Sequence, residues 1–199
     1  MESPANDHYP SLSDEETIQQ WVQQSKNGNE EAFGRLVETF ASRLQGMIYR
    51  ILLDWDETRD IAQETFIHAY RALPNYQHRG RFQSWLFQIG ARQALDTLRK
   101  KNRRPEYWMK AYGENEDGLK EKGVEDTTVS RHEVIAAIEE AVQKLPPEQR
   151  TAFVLAEYEG YEYQEIAAVI GGSRKRVEMH LYRARLALRH RLKPFLEFL

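Results

Sequence analysis

Apolar residues recur at intervals of three and four along most of the chain, which is the spacing of the buried face of an α-helix. The clearest run extends from Phe33 to Leu52 and predicts one long helix. Similar runs predict further helices at about 13–26, 57–73, 83–101, 131–145, 147–159, 162–170 and 174–192. Because no stretch alternates like a β-strand, the pattern predicts an all-α fold.

Two polar stretches interrupt the helical pattern and divide the chain. Residues 1–12 carry two prolines and no periodicity, which predicts a disordered N-terminal segment. Residues 105–130 are acidic and glycine-containing, which predicts a flexible acidic linker. We therefore expect two small helical domains, at 13–104 and 131–199. An aromatic cluster in the linker either extends the packing of the preceding helix or docks on a partner. The cluster is Tyr107, Trp108, Met109 and Tyr112.

Composition excludes several kinds of chemistry. The chain has no cysteine, which rules out disulfides, thiolate zinc sites and a cysteine nucleophile. No apolar run approaches the roughly 20 residues of a membrane-spanning helix, and the start lacks the features of a signal peptide. We expect a cytoplasmic protein that does not insert into a membrane.

The net charge of −3 hides a strong segregation of charge along the chain. Basic residues dominate 174–193 and form a second cluster at 99–104, whereas acids crowd 56–64 and 106–126. Since affinity for phosphate depends on local fields more than on total charge, the basic segments are candidates for nucleic-acid binding.

The strongest local signal lies between Gly160 and Ser173 and has the form of a helix-turn-helix. The small Ala167 permits two helices to cross closely, Gly171 and Gly172 suit a tight turn, and Ser173 is a good N-cap for the second helix. Beyond the cap, a predicted buried stripe leaves a basic outer face that can enter the major groove. The stripe is Val177, Leu181, Ala184 and Leu188.

The predicted third helix carries an acidic face. Glu57, Asp60 and Glu64 align at spacings of three and four, with Gln63 and Ile67 beside them. Such a face either docks a basic partner helix or is simply solvated.

An enzyme is the alternative from a different class. Asp60, Glu64 and His68 are spaced so that they point the same way and present metal ligands in a helical bundle. The other helices offer no inward Glu-x-x-His pair to complete such a site, which counts against a metal-dependent enzyme.

A third signal lies at 75–86, where aromatic and basic residues alternate before the fourth helix. A loop of this kind can stack an unpaired base and hold its phosphates. For Trp85, Leu86 and Ile89 the pattern favours core packing, so the loop residues are the better candidates for base contact.

Several segments together resemble the extracytoplasmic function (ECF) sigma factors of the bacterial sigma-70 family. The resemblance covers 29–104 and 134–192, and order and spacing agree throughout. The segments that carry it are Asp60-Ile61-Ala62-Gln63-Glu64-Thr65-Phe66-Ile67, Phe82-Gln83-Ser84-Trp85-Leu86-Phe87-Gln88-Ile89, Leu145-Pro146-Pro147-Glu148-Gln149-Arg150, and Glu165-Ile166-Ala167 with Tyr182-Arg183-Ala184-Arg185.

The resemblance implies three interfaces. The first domain is expected to bind the beta-prime clamp of RNA polymerase through Glu57, Asp60, Gln63, Glu64 and Ile67. The same domain is expected to open and read the minus-ten promoter element through Asn75, Tyr76, His78, Arg79, Arg81, Phe82, Ser84, Arg92, Arg99 and Arg103. The second domain is expected to read the minus-thirty-five element through Ser173, Arg174, Lys175, Arg176, Glu178, Met179, Tyr182, Arg183 and Arg185.

The resemblance also implies the class of partner. We expect core RNA polymerase, contacted through its beta-prime and beta subunits, together with promoter DNA and an anti-sigma factor. No catalytic site, cofactor, metal or small-molecule substrate is expected. A regulator that binds an operator as a dimer without polymerase is the alternative within DNA binding, but it explains neither the acidic face nor the 75–86 loop.

The sequence departs from the family pattern at a few positions. Arg59 stands where an acid is usual, and Arg92 stands where Asn is usual. In the last helix, residues 175–180 keep the apolar anchor and change nearly every outward residue. We therefore expect an unusual promoter sequence.

Overall fold

The computed structural model describes residues 15–77, 81–102 and 131–196, and every regular element in these ranges is helical. A short 3-10 turn, Leu73–Asn75, accompanies the α-helices. Their bounds are α1 Glu15–Lys26, α2 Glu30–Leu52, α3 Trp55–Ala72, α4 Phe82–Asn102, α5 Arg131–Gln143, α6 Pro147–Glu157, α7 Tyr163–Ile170 and α8 Arg174–Leu196. The predicted all-α fold is confirmed. The N-terminal segment and the linker with its aromatic cluster lie outside the described residues.

Side-chain caps set where the helices begin. The Asn29 side chain accepts a hydrogen bond from the backbone N–H of Ala32 and starts α2. The Asp54 carboxylate accepts from the N–H groups of Asp56 and Glu57, so α3 begins two residues before its predicted start. The bond from the Glu57 N–H is the main reason that the pKa of Asp54 is lowered.

The ends of three helices differ from the sequence expectation by two residues or more, and α5 is one of them because it ends at Gln143 rather than near 145. Helix α6 ends at Glu157 rather than near 159, because the N–H groups of Tyr158 and Glu159 both point back to the Val154 carbonyl and Gly160 then takes a φ of 67°. Helix α8 continues to residue 196 instead of ending near 192.

Helix α2 is the centre of the first unit, residues 15–102, and packs against α1, α3 and α4. Its fully buried side chains are Leu36, Leu44, Met47, Ile48 and Ile51. Helix α4 approaches closely at Gly90, where an added Cβ would lie 2.9 Å from Leu44 Cδ1 and 3.3 Å from Thr65 Oγ1. The absence of a side chain at this position therefore sets the distance between the helices.

Helix α8 is the centre of the second unit, residues 131–196, and contacts α5, α6 and α7. The predicted stripe of Val177, Leu181, Ala184 and Leu188 is buried, which confirms the face assignment. The stripe thereby determines which residues of α8 face outward.

The two units are in contact, which the sequence pattern does not predict. Buried side chains of both units form one continuous apolar cluster. Arg150 of α6 is 3% exposed and donates to the Ile51 carbonyl at the end of α2, at 3.1 Å. Arg50 of α2 pairs with Glu159 of the second unit at 3.5 Å.

Substituting Gly90 tests the close helix crossing. We expect Gly90→Ala to lower the free energy of unfolding by about 1 kcal/mol or more, because the added methyl meets buried atoms. Gly34, in α2, has open space around it. Gly34→Ala is the matched control and should raise stability by about 0.5 to 1 kcal/mol. Chemical denaturation measures both, and a stabilised Gly90→Ala variant would contradict the tight packing.

Candidate nucleic-acid and protein interfaces

An open groove with a volume of 780 Å³ runs between α2 and α3. Its apolar lining includes Phe33 and Val37 from α2 and Phe66, Ile67 and Tyr70 from α3. Ile67 is 41% exposed and Tyr70 is 38% exposed, although the helical spacing of Ala62, Phe66, Ala69, Tyr70 and Leu73 predicts that Tyr70 is buried. The groove thus presents large apolar side chains to solvent, which is typical of a surface that binds another protein.

The predicted polymerase-binding residues fall on two sides of α3. Gln63 and Ile67 line the groove, and Asp60 and Glu64 are exposed on the same side of the helix. Glu57 is only half exposed and instead pairs with Lys101 of α4 at 2.6 Å. Four of the five predicted residues therefore share one accessible surface, and Glu57 is engaged within the first unit.

The predicted minus-ten residues near the start of α4 are split between core and surface. Tyr76 is 7% exposed and Phe82 is 1% exposed, so neither ring is presented to a DNA base. Tyr76 meets Phe82 edge to face at 5.9 Å and lies 4.6 Å from Trp85. In this arrangement the two rings complete the first unit's aromatic core, and their expected contact with DNA stays a prediction.

The other minus-ten candidates near this core are exposed or lie outside the described residues. Asn75 and Arg81 are exposed on either side of the loop. His78 and Arg79, together with Arg103 beyond the end of α4, are outside the described residues.

Two arginines predicted to read DNA instead contact the helix-turn-helix. Arg92 donates to the Ala168 carbonyl at 2.5 Å, and Arg99 donates to the Ile170 carbonyl at 2.9 Å. Both carbonyls belong to the last turn of α7, whose carbonyl groups lack partners within the helix. The unusual Arg92 thus has a structural partner in the second unit.

The contact between α4 and the second unit extends beyond these arginines. Arg99 Nε also pairs with Glu148 of α6 at 3.0 Å. Burial opposes ionisation of Glu148, but hydrogen bonds from its own backbone and from Arg99 leave its pKa lowered. Near the start of α4, the Tyr161 hydroxyl donates to the Ser84 carbonyl at 3.2 Å. Three predicted minus-ten residues therefore face the second unit.

The helix-turn-helix forms as predicted. Glu162 and Glu165 make a capping box at the start of α7, and Gly171 ends the helix with a φ of 75°. The Ser173 hydroxyl accepts from the backbone N–H of Arg176 at 3.4 Å and caps α8. Ala167 is 3% exposed where the helices meet.

The outward face of α8 carries the predicted minus-thirty-five residues, and some of them are already paired. All are exposed, namely Ser173, Arg174, Lys175, Arg176, Glu178, Met179, Tyr182, Arg183 and Arg185. Glu178 pairs with Arg174 one turn earlier at 3.2 Å. Arg185 donates twice to Glu157 of α6, at 2.6 and 3.0 Å, and these bonds raise its pKa. These pairs orient side chains before any DNA is bound.

Sequence reasoning assigned no role to several residues at the contact between the units. Arg150 and Glu148 lie in a segment that carries the family resemblance, yet no local pattern signals that an arginine there is buried. Within the second unit, His180 is 9% exposed, and burial followed by the nearby Arg176 lowers its pKa. Tyr161 is 8% exposed, and its burial likewise results from tertiary packing that no local pattern signals.

The part of the chain that the structure describes contains neither a cluster of metal ligands nor a helix that could span a membrane. Within residues 15–77, 81–102 and 131–196, no three His, Asp or Glu side chains converge as metal ligands. In those same ranges no helix combines the length and the apolar character needed to cross a bilayer.

Comparisons with known proteins agree on one family. The model of Sigma-70 region 2 matches residues 36–104, and that of Sigma-70, region 4 matches residues 135–188. RNA polymerase sigma-H factor of Pseudomonas aeruginosa is 34% identical over 187 residues, covering 92% of this chain and 97% of that protein. ECF RNA polymerase sigma factor SigW of Bacillus subtilis is 31% identical over 184 residues, covering 88% and 97%.

A solved structure described as CnrH in complex with the cytosolic domain of CnrY is similar over 89% of this chain and 98% of that chain, with a TM-score of 0.62 and 26% identity. The helix-turn-helix, the two matched regions and the nearly full-length relatives lead to one conclusion. The chain belongs to the ECF sigma factors of the sigma-70 family, which bind RNA polymerase and direct transcription initiation at promoters.

Proposed function

We propose that the α2–α3 groove with its acidic edge is the surface through which this sigma factor docks on the beta-prime clamp. The observation that carries the proposal is the juxtaposition of exposed Ile67 and Tyr70 with exposed Asp60 and Glu64 on one side of α3. An apolar anchor gives affinity to such an interface, and complementary charge gives it orientation and speed of association. A basic, amphipathic helix of the polymerase fits these requirements.

Charge reversal tests this docking surface. We expect Asp60→Lys or Glu64→Lys to weaken binding to core polymerase by about tenfold or more, with unchanged helix content, because attraction becomes repulsion. Glu16 is an exposed acid of α1, a helix that contributes no residue to the groove, so Glu16→Lys is the matched control. Glu57→Gln should also bind normally, since Glu57 faces Lys101. Wild-type co-purification of both reversed variants with core enzyme would contradict the assignment.

The loop before α4 and the outer face of that helix are proposed to open and read the minus-ten element. Asn75 and Arg81 are exposed at the loop, and Ser84, Arg92 and Arg99 follow along α4. The buried Tyr76 supports the loop from below and does not itself stack on a base. The first domain, residues 13–104, is thus proposed to bind polymerase through α3 and to act on promoter DNA through α4.

Substitutions can distinguish Tyr76, which is proposed to support the loop, from Arg81, which is proposed to contact DNA. We expect Tyr76→Ala to lower the free energy of unfolding by about 3 kcal/mol, because the ring is part of the core. Arg81→Ala should keep the wild-type melting temperature and reduce the permanganate reactivity of promoter thymines, because an exposed cation near the melted strand is lost. If the Tyr76→Ala protein is as stable as wild type yet defective in promoter opening, the result would indicate that the Tyr76 ring stacks on a base.

The outward face of α8 is proposed to read the minus-thirty-five element. The N-terminal turn, with Arg174, Lys175, Glu178 and Met179, meets base edges, while Arg185 farther along contacts phosphate. Arg pairs bidentately with guanine and Glu accepts from cytosine, which favours a G·C-containing site. The Arg174–Glu178 pair presents both groups together.

Substitutions of Glu178 and Arg185 should impair DNA binding in different ways. Glu178→Ala is expected to relax preference at one base pair, by on the order of 1 to 3 kcal/mol. Arg185→Ala should weaken all sites alike and reduce the salt slope by about one. Selection on randomised upstream elements measures the first effect, with Glu140→Ala on exposed α5 as the control. If wild type and Glu178→Ala select the same sequences, Glu178 does not read a base and its role is limited to the pairing with Arg174.

We infer that the protein acts in the cytoplasm without a catalytic site of its own, and that an anti-sigma factor holds it in reserve. Support for the last point comes from CnrH, whose solved structure is described as a complex with the cytosolic domain of CnrY. The second unit is proposed to contact the beta subunit, as the family resemblance implies. A pull-down with core polymerase and with candidate inhibitors separates these partners.

A further inference from the structure

One side of α8 holds an arginine and a histidine in contact with each other. Arg176 Nε donates to His180 Nε2 at 3.4 Å, one helical turn farther along. Arg176 is exposed, whereas only 9% of His180 is exposed. The bond uses Nε alone, so the two terminal nitrogens of the guanidinium stay available as donors. The pair therefore combines a buried acceptor with an arginine that can still bind a second group.

The turn before α8 leaves room for the Arg176 side chain. An added Cβ at Gly172 would lie 2.7 Å from Arg176 Cδ and 3.5 Å from Arg176 Cβ. A larger residue at this position would therefore displace the arginine side chain. Gly172 and His180 together define where the Arg176 guanidinium lies.

Stability does not explain the buried histidine. Because the Arg176 Nε–H can only donate, His180 Nε2 accepts, and the hydrogen of the neutral ring is then on Nδ1. Nδ1 is buried and has no hydrogen-bond partner among the described residues. A buried donor without an acceptor costs free energy, which an apolar side chain of similar size would avoid. The histidine therefore stabilises the fold less than an apolar residue would, and its one hydrogen bond is with Arg176.

The charges around His180 favour the form of the ring that can accept this bond. Burial and then Arg176 lower the pKa of His180, Arg183 acts in the same direction, and Glu148 of α6 opposes them. With a lowered pKa the ring is neutral near neutral pH and keeps the lone pair on Nε2. A protonated ring would instead repel Arg176.

In the proposed docking of α8 in the major groove, this side of the helix faces phosphate. Arg176, His180 and Arg183 are spaced by four and three residues, so they share one side of α8 next to its buried stripe. A recognition helix in the groove presents its two sides to the two phosphate backbones. Arginines there bind phosphate and position the helix without reading sequence.

We propose that His180 is a positioning residue, which holds the Arg176 guanidinium in place to bind a phosphate of the minus-thirty-five element. The inference rests on the proposed function of α8. His180 itself does not touch DNA. An arginine that a neighbour already holds loses less conformational freedom on binding, so His180 raises affinity without adding a contact to DNA.

Replacing the acceptor tests this role. His180→Leu removes Nε2 together with the unpartnered Nδ1 donor, so the melting temperature should not fall. His180→Phe repeats the test with a second side-chain shape, so that a packing defect in one variant does not decide the result. His180→Gln keeps an acceptor oxygen and should restore binding. Each variant is assayed as the full-length chain with core polymerase, on a duplex that carries the minus-thirty-five element.

Binding should depend on His180 only while Arg176 is present. We expect Arg176→Ala to weaken binding by about tenfold and to lower the salt slope by about one, because a charge-assisted bond to phosphate is lost. His180→Leu should weaken binding by about fivefold in the wild-type background and have no further effect in the Arg176→Ala background. His180→Gln should bind within about twofold of wild type.

Lys175→Ala is the matched control for the double variants. Lys175 is exposed and carries the same charge as Arg176, but it lies five residues before His180 and does not share its side of the helix. The effects of Lys175→Ala and His180→Leu should therefore multiply, whereas those of Arg176→Ala and His180→Leu should not.

Three results would overturn the role of His180. The first is a loss from His180→Leu that persists in the Arg176→Ala protein, because His180 would then act on something other than Arg176. The second is a folded His180→Leu protein that binds like wild type, and the third is an Arg176→Ala protein with an unchanged salt slope. Binding of His180→Gln as weak as that of His180→Leu would likewise contradict the acceptor role.

The proposed function of α8 is tested separately. It fails when the wild-type protein selects no upstream sequence, and the selection on randomised elements measures that preference without any change at His180. A wild-type preference together with normal binding by His180→Leu would overturn the positioning role alone.

Discussion

The arrangement of this sigma factor depends on how the carbonyl groups at helix ends find hydrogen-bond partners. The last turns of α2 and α7 leave carbonyls that no residue of the same helix can satisfy. Arginines of the opposite unit satisfy them, with Arg150 at the end of α2 and Arg92 and Arg99 at the end of α7. A guanidinium suits this role because it carries several donors in a fixed plane and keeps its charge at any physiological pH. The exchange of arginines in both directions joins two units that each have a helical core of their own.

The surfaces of the first unit are divided in a way that leaves room for the two interfaces that we propose for it. Helix α3 directs Glu57 toward Lys101 of α4 and leaves Asp60 and Glu64 beside the open groove. Binding a protein along α2 and α3 therefore leaves the opposite side, where α4 lies, free for other contacts. In the structure that side holds the second unit, so the polymerase docking that we propose at the groove and the contact between units do not compete for the same residues.

On α8, ion pairs orient side chains of the surface that we propose reads the minus-thirty-five element. Glu178 is tied to Arg174, and Arg185 is tied to Glu157 of the neighbouring helix. These pairs are exposed, so each contributes little to stability. For the recognition that we propose, the pairs matter because a side chain that is already held by a neighbour loses less conformational freedom when it meets DNA. A residue that leaves such a pair to contact DNA must exchange one partner for another.

The sequence by itself determined the helices, the helix-turn-helix and the exposed face of α8, because apolar spacing, caps and turn residues are local signals. The buried stripe from Val177 to Leu188 and the cap at Ser173 follow directly from such signals. Only the tertiary structure decided that Tyr76 belongs to the core and that Arg92 and Arg99 face the second unit. Aromatic and basic residues look the same in a sequence whether they contact a base, a neighbouring ring or a carbonyl. Their partners are distant along the chain, so packing alone settles which of these contacts forms.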